Sequence, residues 1–185
     1  MVFAAAAAIW YVPELIGTFT QRSGRFPSPL DRGSAAWLVL SLWAGLLLGF
    51  GLAIAVPAAA IAWARPELFA LGIALMLGGT ALRWYAIRCL GRFFTRDVNV
   101  QPGQTVVQSG PYRWIRHPSY TGTMLVAVGI GLVLCNWLSL AVVAAGAVFG
   151  HLVRVQVEEQ ALQIELGEPY LDYMRHTRRF IPFLW

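Results

Sequence analysis

The sequence predicts an all-α integral membrane protein, built as a bundle of about five transmembrane helices with a cytoplasmic C-terminal helical cap. Hydrophobic residues make up 58% of the 185 residues and charged residues only 12%, whereas a soluble domain carries roughly a quarter charged residues. The apolar residues are also grouped into long segments separated by short, arginine-rich connections. We therefore expect one membrane domain, 1–185, with a three-helix part at 1–90 and a part at 91–185 that holds the polar motifs.

A spanning helix needs about 20 mainly apolar residues. Five segments meet or approach this length: 2–19, 34–56, 67–90, 118–134 and 138–157. The first is the weakest, because Pro13 and Glu14 interrupt it, and an interfacial or re-entrant segment remains its alternative. With no arginine-rich start and no clear cleavage site, it is interpreted as a retained helix. The last two segments are separated only by Cys135, Asn136 and Trp137, which predicts an antiparallel helical hairpin.

The arginines predict the orientation in the membrane. The connections 20–33, 88–117 and 158–185 hold Arg22, Arg25, Arg32, Arg88, Arg92, Arg96, Arg113, Arg116, Arg175, Arg178 and Arg179. The connections on the other side hold only Arg65, so the arginine-rich side is predicted to be cytoplasmic and the N-terminus outside. Arg83 and Arg154 lie inside helical segments, toward the same cytoplasmic end.

Composition also bears on the kind of cell and partner. All 14 basic residues are arginine, which suggests a GC-rich bacterial genome and hence the bacterial inner membrane. The net charge of +5 does not indicate nucleic acid, because the arginines flank apolar segments. Two cysteines are too few for a disulfide framework. The topology places Cys89 and Cys135 on opposite membrane sides, where they cannot pair.

The cytoplasmic connections carry local structural signals. Between Arg92 and Arg116 the pattern is that of a loop, with a turn at Pro102-Gly103 and a short β-like run at Thr105–Val107. After the fifth segment the apolar residues recur at helical spacing up to Gly167, and Pro169 suits the first turn of another helix. The sequence therefore predicts a cap of two short helices against the membrane.

The first polar motif lies in the run from Gly110 to Gly122, which reads GPYRWIRHPSYTG. Pro118 suits the first turn of the fourth helix, because its missing N–H costs nothing there. Arg116 and His117 then precede a helix N-terminus, where the backbone amides favour an anion. The alternative is that both side chains only anchor the helix among lipid headgroups.

Two further motifs follow. Arg154 and Glu158 are four residues apart on one face of the fifth helix, and Glu159 is rotated about 100° away, toward a different partner. An ordinary ion pair at a helix end is the alternative explanation. Interfacial tyrosines such as those of GEPYLDY, at 167–173, are common in membrane proteins and weak as a signal alone.

Other chemistries lack support in the sequence. His151 lies within the fifth helix and His176 in the tail, and neither has a further ligand at metal-binding spacing, so no metal is expected. Phosphate-binding loops, dinucleotide glycine motifs and nucleophile-elbow serines are not found.

The three motifs occur together in one order: GPYRWIRHPSYTG, Gly129, Leu-Cys-Asn at 134–136, Arg154 with Glu158-Glu159, GEPYLDY and Pro182. This order resembles the isoprenylcysteine carboxyl methyltransferase family, particularly its short prokaryotic members. The resemblance covers about residues 91–185, and the first three helices carry no matching motif.

The resemblance implies a membrane methyltransferase that uses S-adenosylmethionine at the cytoplasmic face, with 91–185 as its cofactor-binding core. The family methylates the carboxylate of a C-terminal prenylated cysteine. Carried onto this sequence, the resemblance assigns cofactor binding to Tyr112, Arg116, His117, Pro118, Tyr120 and Glu159, and catalysis to Arg154 and Glu158. Eukaryotic members have a longer acidic run where Gln156-Val157 stands here, and extra N-terminal helices.

The expected mechanism places charges around two ligands. Arg116 or His117 would meet the cofactor's carboxylate and Glu159 its ammonium. Arg154 would orient an acceptor carboxylate, with Glu158 holding its guanidinium. The lipidic acceptor would arrive sideways between helices, and the loop 92–116 would act as a lid.

The acceptor stays open: a prenyl-cysteine, another isoprenoid or fatty acid, or an amine-headgroup lipid. The alternative functions are a sterol-reductase-type membrane reductase using NADPH, a phospholipid N-methyltransferase, and a non-enzymatic protein that contacts lipid headgroups.

Overall fold

The computed structural model describes residues 1–20 and 29–182, so the predicted topogenic residues Arg22 and Arg25 lie outside the described part. The described residues form six α-helices, joined by short 3₁₀ turns and extended segments. These helices are α1 Val2–Thr20, α2 Ser34–Ala55, α3 Arg65–Leu90, α4 Pro118–Val133, α5 Trp137–Leu166 and α6 Glu168–His176. The all-helical prediction is confirmed, and the five predicted segments correspond to α1–α5.

The helices differ in their capacity to cross a bilayer. Three segments are each long and apolar enough to span a membrane: α2, α5 and Arg65–Phe93, which contains α3. The apolar part of α1, Val2–Gly17, and α4 are shorter. α1 nevertheless continues through Pro13 without a break. The predicted first helix, 2–19, therefore forms in spite of Pro13 and Glu14.

Two connections meet at the end of the bundle opposite the arginine-rich side. The backbone N–H of Ile61, between α2 and α3, donates to the carbonyl of Cys135 at 2.8 Å. Asn136 donates from Nδ2 to the Val56 carbonyl at 3.0 Å, and its Oδ1 accepts from the Ser139 N–H to cap α5. Cys89 lies at the far end of α3. The prediction that Cys89 and Cys135 cannot pair is confirmed by their positions at opposite ends.

α3 and α4 pack so closely that their glycines face one another. A Cβ atom on Gly79 would lie 2.5 Å from the carbonyl oxygen of Gly122, and one on Gly72 would lie 2.6 Å from that of Gly129. Both pairs are seven residues apart along each helix. This spacing keeps one face of each helix in contact over two turns.

α2 and α5 form the second close pair. The small residues Gly45 and Gly146 meet at this contact, where a Cβ on Gly146 would lie 2.7 Å from the Ser41 carbonyl oxygen. The absence of a side chain at both positions lets the two helices approach this closely. Buried apolar side chains such as Met76 and Val126, and Val143 and Ala147, fill the space between the helix pairs.

Two local predictions are corrected. α5 runs for 30 residues without interruption to Leu166, about 45 Å, so the cap consists of its projecting end plus α6 and not of two short helices. This length exceeds the thickness of a hydrocarbon core, which is about 30 Å, so one end of α5 projects beyond it. Gly167 ends α5 with a φ of 61°, as predicted. Thr105–Val107 forms no strand and pairs with no other segment within residues 1–20 and 29–182.

Candidate functional site

The polar residues gather where the end of α5 meets the start of α4. Glu159 is only 2% exposed and is surrounded by cationic groups. Its Oε1 accepts from Arg116 Nε at 2.8 Å and lies 3.3 Å from His117 Nε2, and its Oε2 accepts from Arg179 Nη2 at 2.9 Å. Glu159 therefore joins α5, the start of α4 and the C-terminal tail in one buried ionic cluster.

The C-terminal tail uses the backbone amides that precede α4. The N–H of Arg116 donates to the Arg178 carbonyl at 2.7 Å, and that of His117 to the Arg179 carbonyl at 3.0 Å. Pro118 occupies the first turn of α4, as predicted, and is fully buried. The amides of Arg116 and His117 are thus satisfied by the chain itself.

Tyr120 lies between Glu158 and Arg154. Its hydroxyl donates to Glu158 Oε2 at 2.7 Å and accepts from Arg154 Nε at 3.4 Å. The expected direct support of Arg154 by Glu158 is therefore replaced by a link through Tyr120. His117 stacks on the Tyr120 ring, with centroids 5.5 Å apart and planes 8° from parallel, which fixes the ring.

The charge of Arg154 is instead balanced by Asp31, in the connection before α2. Arg154 Nη1 contacts the Asp31 carboxylate and also donates to Ser34 Oγ at 2.8 Å, while Nη2 donates to the Arg96 carbonyl at 2.5 Å. The side chains of Arg154 and Asp31 are 3% and 2% exposed. Asp31 also accepts from the Val98 N–H at 3.4 Å, so it ties the segment after α3 to this pair.

A second ionic cluster lies nearby, on α1 and α3. Glu14 Oε1 contacts Arg83 Nε, and Oε2 accepts from Arg83 Nη2 and from Arg96 Nη1, both at 2.9 Å. In the sequence, Glu14 interrupts the apolar run of the first segment. A lone acid in an otherwise apolar helix was the signal for this cluster, because such a charge needs a cationic partner.

A first cavity opens at this polar end, where α4, α5 and α6 approach one another. The segment 93–107 covers one side of it. Its polar and aromatic wall consists of Phe93, Phe94, Asp97, Tyr112, Arg116, His117, Tyr120, Glu158, Tyr170 and Tyr173. The cavity therefore offers acids, cations and aromatic faces together.

The tyrosines of this wall are neutral hydrogen-bonding groups. Burial raises the pKa of Tyr112, Tyr170 and Tyr173 well above the usual value near 10. Tyr173 donates from its hydroxyl to the Tyr112 carbonyl at 2.6 Å. This bond joins α6 to the turn before α4 and shapes the cavity.

A second cavity, of about 410 Å³, lies between α1 and α2. Apolar side chains of these helices form most of its wall: Trp10, Tyr11, Leu15, Leu38, Val39, Leu42, Trp43 and Leu46. Its polar end holds Glu14, Arg83, Arg96, Arg154 and His151. Phe94, Thr95, Asp97 and Tyr120 line both cavities. The two cavities thus meet at Tyr120.

The structure separates the predicted cofactor residues into two groups. Tyr112, Arg116, His117 and Tyr120 line the first cavity, together with Glu158, which was assigned to catalysis. Pro118 and Glu159 lie behind this wall. Within residues 1–20 and 29–182, no group of three His, Cys, Asp or Glu side chains has the arrangement of a metal site.

Comparison with known proteins shows which family shares the sequence of this chain. A sequence model of the isoprenylcysteine carboxyl methyltransferase family matches residues 71–164. The chain belongs to this family. The match begins within α3, earlier than the motifs at 91–185 indicated, and ends before the GEPYLDY motif.

Individual members of the family show the extent of the similarity. The protein-S-isoprenylcysteine O-methyltransferase of Xenopus laevis is 34% identical over 118 residues, which are 62% of this chain and 40% of the relative. Methyltransferase A of Arabidopsis thaliana is 34% identical over 116 residues, 61% of this chain and 58% of the relative. This family member therefore spans about half the length of the relatives it matches.

A solved structure agrees with the architecture. The chain is similar to the eukaryotic intramembrane Ras methyltransferase, an isoprenylcysteine carboxyl methyltransferase, with a TM-score of 0.64 and 28% sequence identity. The similarity covers 78% of this chain and 52% of that one. The integral-membrane helical fold of this family member is shared with that enzyme.

Proposed function

We propose that the protein is an S-adenosylmethionine-dependent methyltransferase that methylates the carboxylate of a lipidic acceptor at the membrane surface. One observation carries this proposal: a polar cavity at the arginine-rich end and an apolar cavity between α1 and α2 meet at Tyr120. Methyl transfer between a water-soluble donor and a lipid needs such a meeting point. Membership of the methyltransferase family supports the same reaction.

The first cavity fits the charges of S-adenosylmethionine. This cofactor carries a sulfonium, an ammonium, a carboxylate and an adenine ring, and when bound it supplies an electrophilic methyl group. Glu158, whose side chain is 29% exposed, is the carboxylate that could receive the ammonium, whereas Glu159 is already held by Arg116 and Arg179. Arg116 supplies a guanidinium and His117 an imidazole to this wall, and the tyrosine faces suit the adenine ring and the sulfonium.

The residues around Tyr120 suit a reaction that needs alignment more than proton transfer. A carboxylate with a pKa of about 4 is ionised at neutral pH, so no general base is required. Orientation alone can contribute about 7–11 kcal/mol. Arg154 and Glu158 hold the Tyr120 hydroxyl between the cavities, and the segment 91–109 covers the junction against water. Arg154 thus acts on this junction while its charge is balanced by Asp31.

The acceptor is proposed to be a prenyl-cysteine or another lipid bearing a carboxylate. The relatives are named for S-isoprenylcysteine, and the apolar wall of the second cavity suits a long hydrocarbon chain. α1 and α2 bound this cavity, so the chain would arrive from the bilayer between them. We place the site at the cytoplasmic face of a bacterial inner membrane, on the basis of the arginine distribution.

The cofactor assignment is tested by calorimetry with S-adenosylhomocysteine, the demethylated product. Glu158→Gln removes the carboxylate charge that faces the first cavity. The affinity of this variant for S-adenosylhomocysteine should fall about tenfold. Glu165→Gln removes an exposed charge from the same helix and should leave the affinity unchanged. Equal affinity in Glu158→Gln and the unaltered protein would contradict the assignment.

The reaction itself is tested with purified protein, radiolabelled S-adenosylmethionine and N-acetyl-S-farnesylcysteine. We expect label in a base-labile ester that is extracted with the lipid. Oxidation of NADPH by the protein without any methyl transfer would instead support a membrane reductase and reject the proposal.

A further inference from the structure

We propose that Arg83 and Arg96 form the binding site for the acceptor's carboxylate and that Glu14 of α1 is its internal competitor. This inference rests on the proposed function and names the residues that recognise the acceptor. The ligand class is an amphiphile with one hydrocarbon chain and one carboxylate. Glu14 already presents such a carboxylate to both guanidinium groups.

The position of Glu14 is the first argument. Within the described part of α1, Glu14 is the one charged side chain, and a charge inside an apolar helix is costly unless it is paired. Its two oxygens bind Arg83 and Arg96, as given above. Two arginines around one carboxylate form a carboxylate-binding site by geometry. Another carboxylate of similar shape would compete for the same donors.

The surroundings of this cluster are the second argument. Glu14, Arg83 and Arg96 line the polar end of the cavity whose remaining wall is largely apolar. Tyr120 lines this second cavity and also the first cavity, where the cofactor is proposed to bind. An amphiphile whose chain lies along α1 and α2 would therefore place its head at these arginines, next to the junction.

The state of Arg154 is the third argument. Its guanidinium is committed to Asp31, Ser34 and the Arg96 carbonyl, and both members of the Arg154–Asp31 pair are almost fully buried. Glu14, Arg96 and Arg83 are more accessible, with side chains 17%, 20% and 9% exposed. Exchange of one carboxylate for another is therefore easier at Arg83 and Arg96 than at Arg154.

If Glu14 competes with the acceptor, a substitution of Glu14 should strengthen acceptor binding, whereas a substitution that only disrupts the site would weaken it. Glu14→Gln removes the competing charge but keeps a side chain of the same shape. In the purified protein, without cofactor, it should bind N-acetyl-S-farnesylcysteine about fivefold more tightly, as expected for one partly buried charge. The methyl ester of the same compound lacks the carboxylate, and its affinity should not change.

Two further variants complete the experiment. Arg96→Gln should weaken binding of the carboxylate and leave the ester unaffected, which tests the site without altering α1. Glu67→Gln removes an exposed acid from the opposite end of α3 and should change neither affinity. If Glu14→Gln fails to tighten carboxylate binding, or if Arg96→Gln weakens acid and ester equally, the inference is overturned.

The two proposals fail in different ways. Carboxylate-selective binding without any methyl transfer in the unaltered protein would reject the proposed function and leave the anion site in place. Methyl transfer without a difference between acid and ester binding in these variants would reject the anion site alone.

Discussion

Glu158 and Glu159 are identical neighbours with different surroundings. A rotation of about 100° per residue along α5 turns Glu159 into the protein and Glu158 toward the first cavity. Glu159 meets Arg116, His117 and Arg179, whereas Glu158 accepts from Tyr120. Glu159 is therefore held in the ionic cluster of the polar end, whereas Glu158 faces the first cavity.

At the residue scale, Glu159→Gln should destabilise the fold. Removing one partner of a buried ionic cluster leaves Arg116 uncompensated and costs about 3 kcal/mol. For a chain of this size that corresponds to a fall of about 6–12 °C in the melting temperature. Thermal unfolding in detergent, followed by circular dichroism, measures it.

Glu168→Gln is the matched control. Glu168 pairs with Arg175, and both side chains are more than half exposed, so the loss should be below about 1 kcal/mol. Similar melting temperatures for the two variants would show that the Glu159 cluster contributes no more than a surface ion pair.

At the scale of the helices, close packing between α3 and α4 depends on glycine. A methyl group on Gly79 would collide with the Gly122 carbonyl oxygen, whereas one on Gly78 would meet nothing within 4 Å. The two positions are adjacent on the same helix but face the partner helix and the outside respectively. Alanine at each position therefore distinguishes the effect of helix packing on stability from the effect of helix propensity.

We expect Gly79→Ala to force α3 and α4 apart and to cost about 1–3 kcal/mol. Gly78→Ala should be neutral or slightly stabilising, because alanine favours helix over glycine by about 0.8–1.0 kcal/mol. Melting temperatures of both variants, measured under the same detergent conditions, give the comparison. A loss of stability in Gly78→Ala as large as that in Gly79→Ala would refute the packing argument.

At the scale of the whole molecule, the buried ion pairs of the described residues lie at one end of the bundle. The ion pairs of Glu14, Asp31 and Glu159 lie at the end where α3 finishes and α4 begins. The opposite end is closed by backbone and amide hydrogen bonds around Asn136. This polarity suits the arginine-rich end on the cytoplasmic side.

The orientation can be measured by labelling single cysteines in a variant with Cys89→Ser and Cys135→Ser. Ala58→Cys lies in the exposed connection after α2, and Arg175→Cys on the exposed face of α6. In bacterial spheroplasts, a membrane-impermeant maleimide should label the first from outside and the second only after lysis. The reverse pattern would place the ionic end outside.

The residues that the sequence could not assign are those whose partners come from distant helices. Asp31 and Arg154 are 123 residues apart, and Glu14 and Arg83 are 69 apart. Sequence spacing reveals neighbours on one helix, such as Arg154 and Glu158, but not which way a helix faces in the bundle. Spacing therefore predicts a pairing of Arg154 with Glu158 and gives no indication of Asp31.

The sequence alone determined the helical membrane fold, the bounds of α2–α4 and the motifs that mark the family. These follow from local properties: the length of apolar segments, proline and glycine at helix ends, and arginine placement. Only the tertiary structure decided that α5 continues into the cap, that Tyr120 separates Arg154 from Glu158, and that two cavities meet there. Those features depend on how helices rotate and pack against one another, which is fixed by contacts between residues far apart in the chain.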